Sequence, residues 1–157
     1  MKRLIIVSLL LTGLLTGCGE TSPNYIKIAG GGLQFNLATA QATMIVVAQQ
    51  TSPLPPNSTI EALFDLPGTN TRQSISMPTT QGRLQYMLQS KALTGITLGG
   101  RYNVSVLLHD RDGKVLDHKE TTYVSDQDQA TLPNKPLAEG PALIPHLENL
   151  EPDKKSP

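Results

Sequence analysis

Residues 59–66 alternate apolar and polar almost without fault. Ile60, Ala62, Phe64 and Leu66 share one face, Thr59, Glu61 and Asp65 take the other, and only Leu63 interrupts the polar side. Period 2 is the mark of a half-buried strand. The same pattern recurs over 83–89, with Leu84, Tyr86 and Leu88 against Arg83, Gln85 and Gln89, and more weakly over 72–77 through Ile75 and Met77. Residues 42–48 form a β-branched run (Thr43, Ile45, Val46, Val47) that ends at Pro53, Pro55 and Pro56, since proline removes a ladder donor. The longest pattern runs through Tyr102, Val104, Val106 and Leu108, opposed by Arg101, Asn103, Ser105 and His109. It turns at Asp110-Arg111-Asp112-Gly113 and returns over 115–124; Asp-Gly between two β-rich runs predicts a hairpin. Nearer the N-terminus, residues 25–29 predict a short strand that Gly30-Gly31-Gly32 breaks before a restart at 33–37.

No helical period is sustained past ten residues after the N-terminal segment. About seven short strands predict an all-β chain, a single antiparallel immunoglobulin-like sandwich. Leu98-Gly99-Gly100-Arg101-Tyr102-Asn103-Val104 resembles the approach to the penultimate strand of fibronectin type III and related sandwiches. In those folds a tyrosine hydroxyl bonds back to the backbone at a corner between sheets.

A different pattern opens the chain. Met1-Lys2-Arg3 precedes an apolar run over 4–15, and Leu15-Thr16-Gly17-Cys18 closes it. This is a positive n-region, an apolar h-region and a small-residue cleavage site. A spanning helix needs about 20 apolar residues, and this run is shorter and broken by glycine. With Leu15, Thr16 and Gly17 as the recognition residues and Cys18 as the first mature residue, it resembles the lipobox of bacterial lipoproteins. The resemblance implies a diacylglyceryl thioether and an acylated amino group on Cys18; two or more acyl chains anchor stably where one does not. Cys18 is the sole cysteine, so no internal disulfide forms. Gly19, where an Asp would favour inner-membrane retention, implies an outer-membrane protein facing the periplasm.

The expected organisation is a signal peptide over 1–17, a lipidated tether over 18–24, a sandwich over 25–131 and a proline-rich, extended or disordered tail over 132–157. Removing the signal leaves about 140 residues, enough for one domain. The whole chain carries 13 basic and 13 acidic residues. Losing Lys2 and Arg3 tips the body slightly acidic, which argues against nucleic acid and against a polybasic lipid patch. Aromatics at 4% with no Trp argue against an aromatic sugar platform.

Candidate chemistry is thin, and no cofactor motif is legible. Asp110-Arg111-Asp112-Gly113-Lys114 opens like a calcium loop, but Lys114 and Thr121 stand where further oxygen ligands belong. His109 and His118 flank the same hairpin. A two-residue Gly113-Lys114 turn would set them face to face, two ligands where zinc needs three or four, and a different register would separate them; they remain weak metal candidates. Gly30-Gly31-Gly32 lacks the Lys-Ser/Thr and helix of a phosphate loop, and no serine sits in Gly-x-Ser-x-Gly. Asp126 and Asp128 read as a solvated loop.

One family matches several of these features together. Leu54-Pro55-Pro56-Asn57-Ser58-Thr59-Ile60-Glu61-Ala62 resembles the Leu-Pro-Pro-Gly-Ser-x-hydrophobic opening of a strand in a group of Gram-negative lipoproteins. That group includes the YbaY lipoproteins and the YscW-type pilot proteins of type III secretion. Ile96–Val104 and Asp110–Leu116 are similar to its Tyr-containing segment and its Asp-Gly-Lys-Leu hairpin. The resemblance spans roughly 42–124. The shorter stretch after Asp65, the extra N-terminal strand region and the long tail depart from it. It implies a non-catalytic role: a periplasmic module that binds an envelope protein, such as a secretin, while its lipid supplies the transport address. The alternatives are a structural envelope-maintenance lipoprotein or, through His109 and His118, a metal- or small-ligand-binding one.

Overall fold

The computed structural model describes residues 24–139 and 144–145. Seven strands form two antiparallel sheets: β1 (Ile26–Asn36), β2 (Gln41–Gln50), β3 (Thr59–Asp65), β4 (Arg72–Pro78), β5 (Gln85–Gln89), β6 (Arg101–His109) and β7 (Val115–Val124). The strand orders are β1-β2-β5 and β4-β3-β6-β7. The chain builds one hairpin in the first sheet and crosses for β3 and β4. It returns to lay β5 beside β2, then crosses again to lay β6 beside β3. The result is a β-sandwich.

Alternation sets which side chains meet between the sheets. Met44, Val46 and Ala48 from β2 and Tyr86 and Leu88 from β5 pack against Ile60, Ala62 and Phe64 from β3 and Val104, Val106 and Leu108 from β6, all buried. Tyr102 closes one end of this core. Its hydroxyl accepts the Thr97 N–H at 3.0 Å, the corner bond anticipated from the Leu-Gly-Gly-Arg-Tyr run. Gly100 makes it feasible, because a Cβ there would lie 2.4 Å from the Tyr102 hydroxyl.

Two strand expectations need correction. The three glycines do not break the first strand: β1 runs through them, with a bulge between Ile28 and Gly30. Gly31 points inward at a place where β7 comes close. A Cβ there would meet Tyr123 Oη at 2.1 Å and the Ile45 carbonyl at 2.2 Å. Glycine in a strand here marks close approach rather than an end. Leu84, expected to share the buried face of Tyr86 and Leu88, precedes β5 and is 63% exposed.

The packed body also continues past residue 131. A short 3-10 turn over Gln129–Thr131 is capped by Asp128, which accepts Ala130 N–H at 2.8 Å. Leu132 and Ala138 are buried, and the Leu137 and Ala138 amides both donate to Ala38 O. Ala138–Glu139 (β8) pairs with Ile144–Pro145 (β9). The rest of the expected tail, like the signal peptide and residues 18–23, lies outside the described residues.

Candidate functional site

The strand registers put four features at one end of the sandwich: Asn24, the β2–β3 loop (51–58), the β4–β5 loop (79–84) and the β6–β7 turn (110–114). The chain is pinned where it enters there. Asn24 O accepts from the hydroxyls of Thr51 (2.6 Å) and Ser52 (3.1 Å). The Asp117 carboxylate takes the Tyr25 and Ile26 amides at 2.8 and 2.9 Å and the Lys119 ammonium at 2.7 Å. Burial opposes ionisation of Asp117, but the hydrogen bonds from Lys119 and the two amides, with the Lys119 charge, hold its carboxyl below the ordinary value.

The segment 132–139 lies at the other end, on the β1–β2 turn at Ala38. Strands of this length separate the two ends by about 30 Å. Six residue steps from Cys18 to Asn24 reach about 20 Å at most. The sequence-predicted residues Cys18, Leu15, Thr16 and Gly17 lie outside the described residues.

A cleft of about 520 Å³ opens at the Asn24 end. Its walls are Pro53–Asn57 and Thr79–Gly82, with Gln50 beside them and Tyr86 below. The Tyr86 hydroxyl is held between the Thr80 N–H and C=O, each at 3.2 Å, and the Arg83 guanidinium lies 5.2 Å from its ring centre. Ser58 donates to the Pro55 carbonyl, and Asn57 takes a φ of 58°, in the left-handed region that asparagine and glycine tolerate. The prolines thus do more than end β2. They wall this cleft, a role that no spacing in the sequence announced.

The outer face of the four-stranded sheet is polar and cross-linked. Arg72 bonds Asp65 at 2.8 Å and Ser105 at 3.0 Å, Ser105 donates to Glu120 at 3.0 Å, and Glu120 lies 3.3 Å from His118. A second chain runs from Ser74 to Glu61 to His109, whose Nε2 is 2.8 Å from the Glu61 carboxylate. His109 and His118 share this face but are not opposed: of the two registers open to the sequence, the one that separates them forms. His109 pairs with Val115 and His118 with Leu107. The reason is the turn: Asp110 N–H donates to Lys114 O, and Gly113, at φ 83°, ends a three-residue loop. The turn over Asp110–Gly113 forms, with Gly113 N–H donating to Asp110 O at 3.1 Å, and together with the bulge between Leu108 and His109 it sets the register that separates the histidines. Asp110 spends one carboxylate oxygen on the Asp112 and Lys114 amides, both at 2.9 Å. Among the described residues no three His, Cys, Asp or Glu side chains cluster as metal ligands.

The two sides of the sandwich differ. Where β1 meets β7, side chains seal the seam: Asp117 as above, and Tyr123, whose hydroxyl donates to Gly30 O at 3.3 Å and whose burial raises its pKa. Where β5 approaches β4, the Lys91 N–H, just past the end of β5, donates to Gln73 Oε1 at 2.6 Å.

No family model matches the chain, and a search of curated proteins finds no match. Among solved structures it is similar to OgpA from Akkermansia muciniphila, at 15% identity and a TM-score of 0.44, over 69% of this chain and 30% of that one. A second OgpA structure, a catalytically inactive form with an O-glycopeptide substrate, gives 14% identity and a TM-score of 0.42 over 66% of this chain and 29% of that one. The alkylpurine DNA glycosylase AlkC of Pseudomonas fluorescens, bound to DNA, gives 16% identity and a TM-score of 0.31 over 64% of this chain and 31% of that one. The chain therefore spans less than a third of each of these proteins.

Proposed function

We propose that this chain is a lipid-anchored outer-membrane protein whose immunoglobulin-like sandwich binds another envelope protein without catalysing a reaction, in the manner of the YbaY/YscW-type lipoproteins. The observation that carries the reading is the placement of the two ends. Asn24 is pinned at one end of the sandwich and the 132–139 segment packs at the other. A lipid on Cys18 then stands the body upright on the periplasmic face of the bilayer, with both sheets and their edges facing sideways. The strand orders β1-β2-β5 and β4-β3-β6-β7 and the Tyr102 corner support the finer fold assignment. The left-handed Asn57 supports the motif likeness, because it stands where the family has glycine and glycine meets the same backbone requirement.

Tagged protein is purified from detergent-solubilised membranes and its companions are identified by mass spectrometry. One envelope protein in near-stoichiometric amount is expected, and Cys18→Ser should release both from the membrane fraction. Recovery of the tagged chain alone overturns the reading. The structural-spacer alternative is favoured by the packing of residues 132–139 at the end of the sandwich opposite Asn24. Truncation after Pro145 decides between the two: it abolishes function for a spacer and leaves partner capture intact for a binding module. The cut belongs there rather than at 132, because Leu137 and Ala138 are bonded to Ala38.

A further inference from the structure

The open edge of β5 has the chemistry of a strand-docking site. β5 pairs with β2 alone among the described residues. The bonds from Gln50 N–H to Leu84 O and from Ser90 N–H to Met44 O fix which backbone groups face β2. They are those of 84, 86, 88 and 90, so the N–H and C=O of Met87 and Gln89 face away from the sheet. Lys91 N–H, in the same phase, reaches the Gln73 side chain on the far side.

Natural sheets guard such edges with proline, charge or cover. β4, the neighbouring edge, has Pro78 and Arg72 at its outward-facing backbone positions, and the β1–β7 side is sealed by Asp117 and Tyr123. β5 has neither proline nor charge. It reads Gln85-Tyr86-Met87-Leu88-Gln89, with Met87 56% exposed. Beside Met87 on the same outer face stands Val47, its register partner, with Ile45 further along β2.

Charge identifies the occupant. Arg83 and Lys91 are exposed and bracket β5; Arg83 Nε donates to the outward-facing Gln85 carbonyl at 2.9 Å, and neither side chain has an ion-pair partner among the described residues. A second copy pairing antiparallel about Met87 would set Arg83 against Lys91 of the other copy, like against like. Resting on the protein-binding reading above, we propose that β5 accepts an extended segment of the partner protein by strand addition, apolar at its centre and acidic at both ends. Backbone bonds to Met87 and Gln89 hold it, its central side chains lie on Met87 and Val47, and its carboxylates meet Arg83 and Lys91.

The test uses full-length protein in detergent and two synthetic peptides with a common Thr-Val-Thr-Val-Thr centre, flanked on both sides by Glu-Glu or by Lys-Lys. The acidic peptide should bind about tenfold more tightly at low salt, the preference shrinking as salt rises. It should also slow hydrogen exchange at the Met87 and Gln89 amides. Met87→Pro removes an amide that β2 does not use, and should abolish binding while the circular dichroism spectrum is kept. Lys91→Glu, at an exposed site, should reduce the preference even if the proline variant misfolds. Equal affinity for both peptides, or protection on another strand, overturns the proposal. So does concentration-dependent protection of Met87 without peptide, which would assign the edge to a second copy. If the envelope partner is captured equally by wild type and Lys91→Glu, the protein-binding reading stands and the β5 assignment falls. If the acidic peptide binds at β5 but no envelope partner is recovered, the converse holds.

Discussion

Asp117 fastens the start of β1 to β7, and removing it should loosen the end of the sandwich where Asn24 lies. Its side chain is 7% exposed. Asp117→Ala deletes the acceptor for the Tyr25 and Ile26 amides and the partner of Lys119. A hydrogen bond to a charged group contributes about 1.5–3 kcal/mol, so the two amide bonds sum to about 3–6 kcal/mol. Water reaching this end of the fold replaces part of that, and a net loss of about 3 kcal/mol is expected, a fall in Tm of about 10 °C for a domain of this size. Asp117→Asn, which keeps one acceptor oxygen but loses the charge, should cost about half as much. The pH dependence separates charge from shape. The folded carboxyl ionises below the ordinary 3.8. Its ionised form therefore stabilises the fold above about pH 4, and that contribution is lost as pH falls through the lowered folded value. Urea unfolding followed by circular dichroism, from pH 7 to pH 2.5, should show the gap between wild type and Asp117→Asn closing with acid. A gap that stays constant across that range refutes the argument that the ionised carboxylate holds β1.

Gly31→Ala should destabilise by about 3 kcal/mol or prevent folding, because the new Cβ meets Tyr123 and the Ile45 carbonyl. Gly30→Ala, with nothing within 4 Å, should stay within about 1 kcal/mol of wild type; thermal melts of the pair provide the comparison. Tyr102→Phe should lose about 1 kcal/mol in urea unfolding, the worth of the hydroxyl bond to Thr97. Zinc in tenfold excess should leave Tm unchanged, since His109 and His118 are occupied separately by Glu61 and Glu120; a rise of several degrees would restore the metal reading.

The residues that announce themselves are those whose local pattern and tertiary role agree. Tyr102, Val104, Val106 and Leu108 alternate cleanly and are buried, and the glycine two residues before the tyrosine signals the corner. β3 is legible for the same reason. The first strand is not, because glycine says only that a side chain is missing. That Gly31 leaves room for Tyr123 of β7 depends on a contact 92 positions along the chain. The histidine register is left open by the sequence: Asp-Gly is compatible with two- and three-residue loops, and a bulge between Leu108 and His109, which no local pattern announces, also decides which side chains are opposed. The Asp117 clasp and the cleft walls are missed because their partners are backbone groups brought together by topology. The unguarded character of β5 is partly readable, as a five-residue run without charge or proline, but its position at an edge is not.

The central claim is a lipid on Cys18 holding a β-sandwich at the outer membrane. Intact-mass and peptide mass spectrometry of the protein extracted from membranes tests it most directly. The account predicts a mature chain beginning at Cys18 and carrying the mass of a diacylglyceryl thioether with an acylated amino group. A chain that keeps Met1, or begins at another residue with Cys18 unmodified, contradicts it.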